Sequence, residues 1–282
     1  MTEPHRDEPL SLSDFTGQVV LVGAGQMGGA MMRGWLKHGL APQRITISDP
    51  RPPANIQAVI DAHGIACNPA DPKPAGVLIL AVKPQIADDV MPLVKQFVGP
   101  DTVVVSVMAG KTIQRIEQVF GTGTAVVRTI PNTPAAVGRG ITGAAASANV
   151  TPAQRQAVER LLAAVGQVEW LAREDWIDIV TAVSGSGPAY VFLLAEALAR
   201  AGAAAGLPAD LAARLARATV EGAAELMHLS PEVEPATLRQ NVTSPNGTTY
   251  AALQVLTGPH GIDQPFVEAV AAAAKRSREL AG

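Results

Sequence analysis

The sequence has only one cysteine, Cys67, so no disulfide can form within the chain and a reducing compartment suits it best. Aromatic residues make up only 4% of the 282 positions, which leaves Ala, Val, Leu and Ile to build any core. Lysine is absent between Lys111 and Lys275. No cluster of Lys and Arg offsets the formal net charge of −3, which argues against nucleic acid as a partner. The opening residues, MTEPHRDEPLSLSDF, lack the apolar core of a signal peptide. No uncharged apolar run reaches ~18 residues, so no membrane span is expected. These absences lead to the expectation of a soluble, cytoplasmic protein. Its hydrophobic content of 48% is ample for one large domain or two ordinary ones.

The chain opens with residues 1–16, which are polar, contain Pro and lack periodicity, and read as a disordered N-terminal extension. Residues 18–22, QVVLV, form a buried strand pattern that runs into GAGQMGG at 23–29 and then a helical pattern to about His38. Strand, glycine turn and helix is the arrangement that cradles a dinucleotide. Gly23 permits the tight turn, Gly25 lets the backbone approach a pyrophosphate at the helix N-terminus, and Gly28 is the third glycine of GxGxxG. A second strand, 45–48, ends at Ser48 and is followed by Asp49 and Arg51. An acid at this distance suits the ribose hydroxyls of NAD, and a nearby arginine suits the 2′-phosphate of NADP.

Further apolar runs at 77–82, 102–106, 125–128 and 141–147 alternate with helical patterns at 55–63, 86–98, 112–120 and 152–165. A last edge strand is predicted at 168–171, and residues 129–134 read as a rigid non-helical turn. Gly64 is predicted to end the helix before it, and Thr151-Pro152 to cap the one after it. The pattern predicts an α/β fold, a doubly wound, mostly parallel Rossmann-type sheet over residues 17–172. From 173 to 282 only helical patterns remain, near 174–183, 188–205, 208–229, 247–257 and 264–280, with a Pro-rich connector at 230–236. Ser184-Gly185-Ser186-Gly187-Pro188 reads as a turn opening a long apolar helix, with Pro188 in its first turn. Its glycines would give a ligand access to a positive helix end. This all-α half is a poor stand-alone core and predicts a homodimer at least.

Five stretches together resemble the Δ1-pyrroline-5-carboxylate reductase family: GAGQMGGA (23–30), AVKPQ (81–85), RTIPNTP (128–134), TAVSGSGPAY (181–190) and VTSPNGTTYAAL (242–253). The closing KRSREL (275–280) also looks like the family's end, and the resemblance spans residues 17–280 in order. It implies reduction of the C=N bond of pyrroline-5-carboxylate by NAD(P)H to give L-proline, with NADPH preferred, NAD possible and no metal required. It places Gly23, Ala24, Gly25, Gln26, Met27 and Gly28 on the pyrophosphate and Ser48, Asp49, Arg51 and Asn68 near the adenosine ribose or its phosphate. Ala81, Val82, Lys83 and Pro84 would lie beside the nicotinamide half with Met108 and Ala109. Ser244 to Thr249 would bind the substrate carboxylate through Gly247, Thr248 and Thr249, and Glu174, Thr181 and Ser184 would line the substrate pocket. Thr249 and Glu174 are the candidate catalytic residues, the first bonding the ring nitrogen and the second favouring a cationic imine by charge.

This chain departs from the family pattern at four places. Asn246 replaces a glycine of SPGGTT, Ile130 replaces a methionine, Asp49 stands where a small hydroxyl residue is common, and Gly261-Ile262-Asp263 replaces GFR. Asn tolerates positive φ, so the carboxylate turn can survive Asn246. A small cyclic imine can carry its proton before it binds, so the chemistry needs no strong protein acid. A β-hydroxyacid dehydrogenase is an alternative on the same scaffold, but it would use a lysine in the second domain as its acid/base, and none is there. A non-catalytic nucleotide-sensing protein on that scaffold is the other alternative.

Overall fold

The computed structural model describes residues 10–281. Short runs of Val, Ile and Leu, bounded by Gly, Pro or Asp, form the strands of one eight-stranded sheet. In chain order these are β1 (Val19–Val22), β2 (Ile45–Ser48), β3 (Ala66–Cys67), β4 (Val77–Leu80), β5 (Val103–Ser106), β6 (Ala125–Pro131), β7 (Gly140–Ala146) and β8 (Gly166–Trp170). Their spatial order is β3-β2-β1-β4-β5-β6-β7-β8, parallel except for the antiparallel β6–β7 pair. The order reverses between β1 and β4, which is where such sheets open a crevice at their carboxyl ends.

The strands β1, β4 and β5 are buried along their whole length, as continuous apolar runs covered on both faces should be. Alternate residues feed two cores. Val19, Leu21 and Ile79 join Met31, Trp35 and Leu161 on one face. Val20, Leu78 and Leu80 join Met91, Phe97 and Ile116 on the other. The covering helices are α1 (Gln26–Lys37), α2 (Ala54–His63), α3 (Ala87–Leu93), α4 (Ile113–Phe120) and α5 (Pro152–Ala163). Gly64 ends α2 in the left-handed region at φ 62°, and Thr151 caps α5 with a full capping box to Gln154.

The later helices are α6 (Ile177–Val180), α7 (Gly187–Ala204), α8 (Ala209–Leu229), α9 (Pro235–Asn241), α10 (Thr248–Leu256) and α11 (Asp263–Ala281). The chain forms two compact units, one running to Gly185 and resuming at Ala273, the other Ser186–Ala272. This differs from the boundary at 172/173 expected from sequence, because α6 packs on β6 and β7. In the second unit α7 packs against α8, and Gly202 allows that approach, since a Cβ there would lie 3.2 Å from the Ala212 Cβ. Yet α7 buries none of its residues, and α8 buries only Ala212 and Ala216. The stretch Glu174–Ala204 is long and apolar enough, by length and composition alone, to cross a membrane.

Several expectations need correction. Residues 10–16 are not an unstructured extension: Leu12 and Phe15 are buried, Leu12 N–H donates to the His38 carbonyl at 2.7 Å, and Arg160 pairs with Asp14. Residues 1–9 lie outside the described residues. The helix expected over 86–98 is broken into α3, which contains Pro92, and flanking 3₁₀ turns. The turn expected at 129–134 is instead the end of β6 followed by a 3₁₀ turn, Thr133–Val137. The connector at 230–236 leads directly into α9, which starts on Pro235 at its N1 position.

Candidate functional site

The glycine turn after β1 has a distinct steric reason for each glycine. Gly23 has φ 88°, and a Cβ there would lie 2.8 Å from the Ala81 carbonyl oxygen. A Cβ on Gly28 would collide with the Gly23 carbonyl. Gly25 has nothing within 4 Å of where its Cβ would be, so its face is open. Gly25 is also the N-cap of α1 and makes no side-chain cap. The first-turn N–H groups, on Gln26, Met27 and Gly28, therefore have no side-chain acceptor at the positive end of a twelve-residue helix. This cradle fits a dinucleotide pyrophosphate.

The register places the other expected cofactor residues beside this turn. Val22 pairs with Ser48 on one side and Leu80 on the other, and Leu80 pairs with Ser106. Residues 23, 49, 81 and 107 are thus neighbours at one edge of the sheet. Val82 and Pro84 are half-buried there and Lys83 is exposed; Met108 is buried and Ala109 half-buried.

Asp49 is more engaged than the sequence suggested. Its Oδ2 accepts from Ala24 N at 2.7 Å and its Oδ1 from Arg51 N at 2.8 Å. The Asn68 amide bridges the Asp49 backbone, accepting from its N–H at 3.0 Å and donating to its carbonyl at 2.7 Å. Asn68 itself sits at φ 48°. Both ends of that amide are therefore taken up in shaping the loop. The Arg51 side chain is exposed and forms no ion pair among the described residues. Burial first, then the carboxylates of Asp49 and Asp61, push the neighbouring Cys67 thiol above its usual range, which keeps it protonated and unreactive.

Glu174 is half-buried and tied into a polar cluster. Its Oε1 accepts from Arg128 Nη1 at 3.0 Å and from Ile113 N, at the start of α4, at 2.9 Å. Arg128 lies on β6 with its side chain 3% exposed, and its Nη2 is 3.6 Å from Asp178 Oδ1. Arg128 is shared between Glu174 and Asp178, so the Glu174 charge is only partly offset, and its side chain remains 31% exposed. Sequence reasoning missed Arg128 and Asp178. The available signal was a single charge inside the apolar strand 125–131.

Thr181 and Ser184 sit in a π-helical turn, Thr181–Gly185, between α6 and α7. Ser184 and Gly185 end that turn, Ser186 is the N-cap of α7, and Pro188 lies in the first turn of α7, as expected. Pro188 cannot donate to the carbonyl of Ser184, and Asn132 Nδ2 donates to that carbonyl instead, at 3.2 Å. The hydroxyls of Thr181 and Ser184 donate to the carbonyls of Ile177 and Val180 at 2.7 and 3.0 Å.

Gly247, Thr248 and Thr249 belong to the second unit. Asn246 takes φ 57°, the left-handed conformation its replacement of glycine requires. The turn closes with Gly247 N–H donating to the Ser244 carbonyl at 3.0 Å, and Gly247 then N-caps α10 without a side-chain cap. Thr249 is half-buried, and its hydroxyl and that of Thr248 have no hydrogen-bond partner among the described residues. The result is an uncapped helix N-terminus flanked by hydroxyls.

Residues 174–280 match the family model described as pyrroline-5-carboxylate reductase dimerisation, and residues 18–110 match that of coenzyme F420-dependent NADP oxidoreductase. The chain is 41% identical to the pyrroline-5-carboxylate reductase of Pseudomonas aeruginosa over 94% of its length and 97% of that protein's. Its structure is similar to a pyrroline-5-carboxylate reductase from Coxiella burnetii, with a TM-score of 0.87, 35% identity, and coverage of 95% of this chain and 99% of that one. A Plasmodium falciparum pyrroline carboxylate reductase with NADP bound aligns with a TM-score of 0.78 and 26% identity, again over 95% and 99%.

Proposed function

The chain belongs to the pyrroline-5-carboxylate reductase family and is an NAD(P)H-dependent oxidoreductase of proline biosynthesis, and from that premise we propose which of its residues do the work. The assignment is carried by what lies at two helix N-termini: the open face of Gly25 at α1, and the hydroxyls of Thr248 and Thr249, unpaired among the described residues, at α10. Each is suited to an anion. The first holds the dinucleotide pyrophosphate through backbone N–H groups of residues 25–28. The second holds the substrate carboxylate through Gly247, Thr248 and Thr249.

Bound NAD(P)H supplies the hydride for the C=N bond. The protein has to orient the ring, exclude water from it and hold its protonated nitrogen. Thr249 is the one side chain proposed to touch that nitrogen, and Glu174 acts only by holding Arg128 and α4 in place. Met108 and Ala109 border the nicotinamide side with Ala81 to Pro84, and Thr181 and Ser184 shape the wall of the substrate pocket. Arg51 takes the 2′-phosphate, whereas Asn68 and Asp49 shape the loop that presents it, so both cofactors work and NADPH is preferred. The family's dimerisation match supports a homodimer or higher homo-oligomer built on the segment 174–280. A cytoplasmic location goes with this reading. Steady-state oxidation of NADPH and of NADH with pyrroline-5-carboxylate tests it. Turnover is expected with both and a higher kcat/KM with NADPH; cofactor binding without turnover would leave only a nucleotide-binding scaffold.

A further inference from the structure

The KRSREL segment at 275–280 plays no part in the account above, yet it returns to the unit that contains the sheet. We propose that the end of α11 is a positioning element for the turn between β5 and α4, holding Met108 and Ala109 against the reacting end of the dinucleotide. The proposal rests on the assignment of those two residues to the nicotinamide side.

Contacts at three points carry it, at each end of the turn and in the middle. At the start, Thr129 Oγ1 donates to the Ser106 carbonyl at 2.9 Å, and Ser106 Oγ accepts from Met108 N at 3.2 Å. In the middle, Gly110 has φ 70°, and a Cβ there would lie 2.8 Å from the Leu280 carbonyl oxygen. The backbone of α11 is thus in direct contact with the backbone of the turn, and only glycine satisfies both the conformation and the space. At the far end, Ile113 N is held by Glu174, and that carboxylate is the first link of a buried relay. Glu174 accepts from Arg128, Arg128 faces Asp178, and Asp178 accepts from Ser277 Oγ at 2.6 Å. Asp178 and Ser277 are both buried. Arg128 Nε and Nη2 have no hydrogen-bond partner among the described residues, so the cation depends on its two carboxylates staying in place. Ser277 is the α11 residue that fixes one of them. A buried network with each carboxylate tied at a second point keeps one geometry.

The mere gluing of α11 to the sheet would alter stability alone. Positioning of the turn would alter the hydride step. Ser277→Ala, the chain ending at Glu279, and Gly110→Ala are each expected to lower kcat by about tenfold, because small misplacements of reacting groups carry large rate penalties. They should also raise the primary kinetic isotope effect measured with NADPH deuterated at the transferred position. Affinity for the adenosine fragment 2′,5′-ADP should stay at the parent value, since the glycine turn and Arg51 are untouched, and Ser277→Thr, which keeps the hydroxyl, should restore kcat. A parent-like kcat and isotope effect in Ser277→Ala would overturn the proposal. So would a fall in kcat accompanied by an equal loss of 2′,5′-ADP affinity. Ala109→Leu separates the proposal from its premise. If Ala109→Leu leaves kcat unchanged, the nicotinamide assignment fails and the proposal with it. If Ala109→Leu cuts kcat while Ser277→Ala does not, only the proposal fails.

Discussion

The two units spend their apolar residues in opposite ways. In the first, β1, β4 and β5 are buried end to end and Trp35 donates to the Leu161 carbonyl at 2.9 Å from within the core. In the second, Phe192, Leu193, Leu194 and Leu198 are all largely exposed on one helix. A groove between α7 and α8 is lined by Val191, Phe192, Ala195, Ala199, Ala213 and Val220. Both units are rich in apolar residues, so the difference lies in where the partner surface comes from. A sheet finds its cover within its own chain. Helices rich in Ala and Leu but poor in aromatics leave a face that another copy can cover. The family's dimerisation match falls on this second region.

The sharpest way to break the comparison is a charge on the exposed face. Phe192→Asp should weaken self-association by ~100-fold or more, since truncating an interface anchor alone costs about 2–4 kcal/mol. Sedimentation velocity over a concentration series reads this directly. Ile79→Ala in the sheet core should instead lower the melting temperature with a cost of about 2–5 kcal/mol and leave association unchanged. If Phe192→Asp associates like the parent, the open face is not where copies meet.

Next comes the anion site of the second unit. Thr249→Val keeps the shape and removes one hydrogen bond to a charged ligand, a change of about 1.5–3 kcal/mol, so kcat/KM should fall by about 10- to 150-fold. A fall in kcat marks a role in the transition state, and a rise in KM alone marks anchoring. Dinucleotide affinity, set in the first unit, should hardly move.

A smaller effect is expected at the adenosine end. Arg51→Ala should reduce the NADPH/NADH ratio of kcat/KM by about tenfold, as loss of a charge-assisted contact would. Asp49→Ser should raise that ratio a few-fold by removing a negative charge, while weakening both cofactors because Ala24 N loses its acceptor. Unchanged ratios in both variants would mean that this loop does not read the phosphate.

The smallest effect lies on the surface of the first unit. The hydrogen bond from Lys111, helped by Arg115, holds the Asp88 carboxyl below its ordinary value of 3.8. A depressed value means that this contribution is fully present above about pH 4 and disappears as the pH falls through the lower folded value. Asp88 is 45% exposed, so Asp88→Asn should lower the melting temperature at neutral pH by no more than about 2 °C. The difference from the parent should vanish in strong acid. A difference that persists there would assign the effect to something other than charge.

Local patterns were legible in the sequence, and partners distant in the chain were not. The glycine turn at 23–28 could be read because each requirement is met within one strand, one turn and one helix. The same holds for Thr151 and Gln154, and for Asn246, whose positive φ follows from its own side chain. The π-helical turn at 181–185 was hidden because the group that replaces the missing Pro188 donor is Asn132, far back in the chain. Leu10 to Phe15 looked featureless because their cover comes from His38 and Arg160. The Arg128–Glu174–Asp178 cluster joins β6 to residues some fifty positions later, and no periodicity marks such a pairing. β3, with two residues, is too short to leave any pattern.

The return of residues 273–281 to the first unit also sets the order in which the protein can be completed during synthesis. The sheet, its helices and the Arg128 cluster are all made before Ser186–Ala272 leaves the ribosome, but Ser277 and Leu280 follow that segment. Until they arrive, Asp178 has no hydroxyl donor from α11 and Gly110 has no Leu280 carbonyl against it. The first unit is therefore begun early in synthesis and completed only by residues made after the second. A nascent chain stalled before Ala273 carries every strand of the sheet but lacks the piece that closes it.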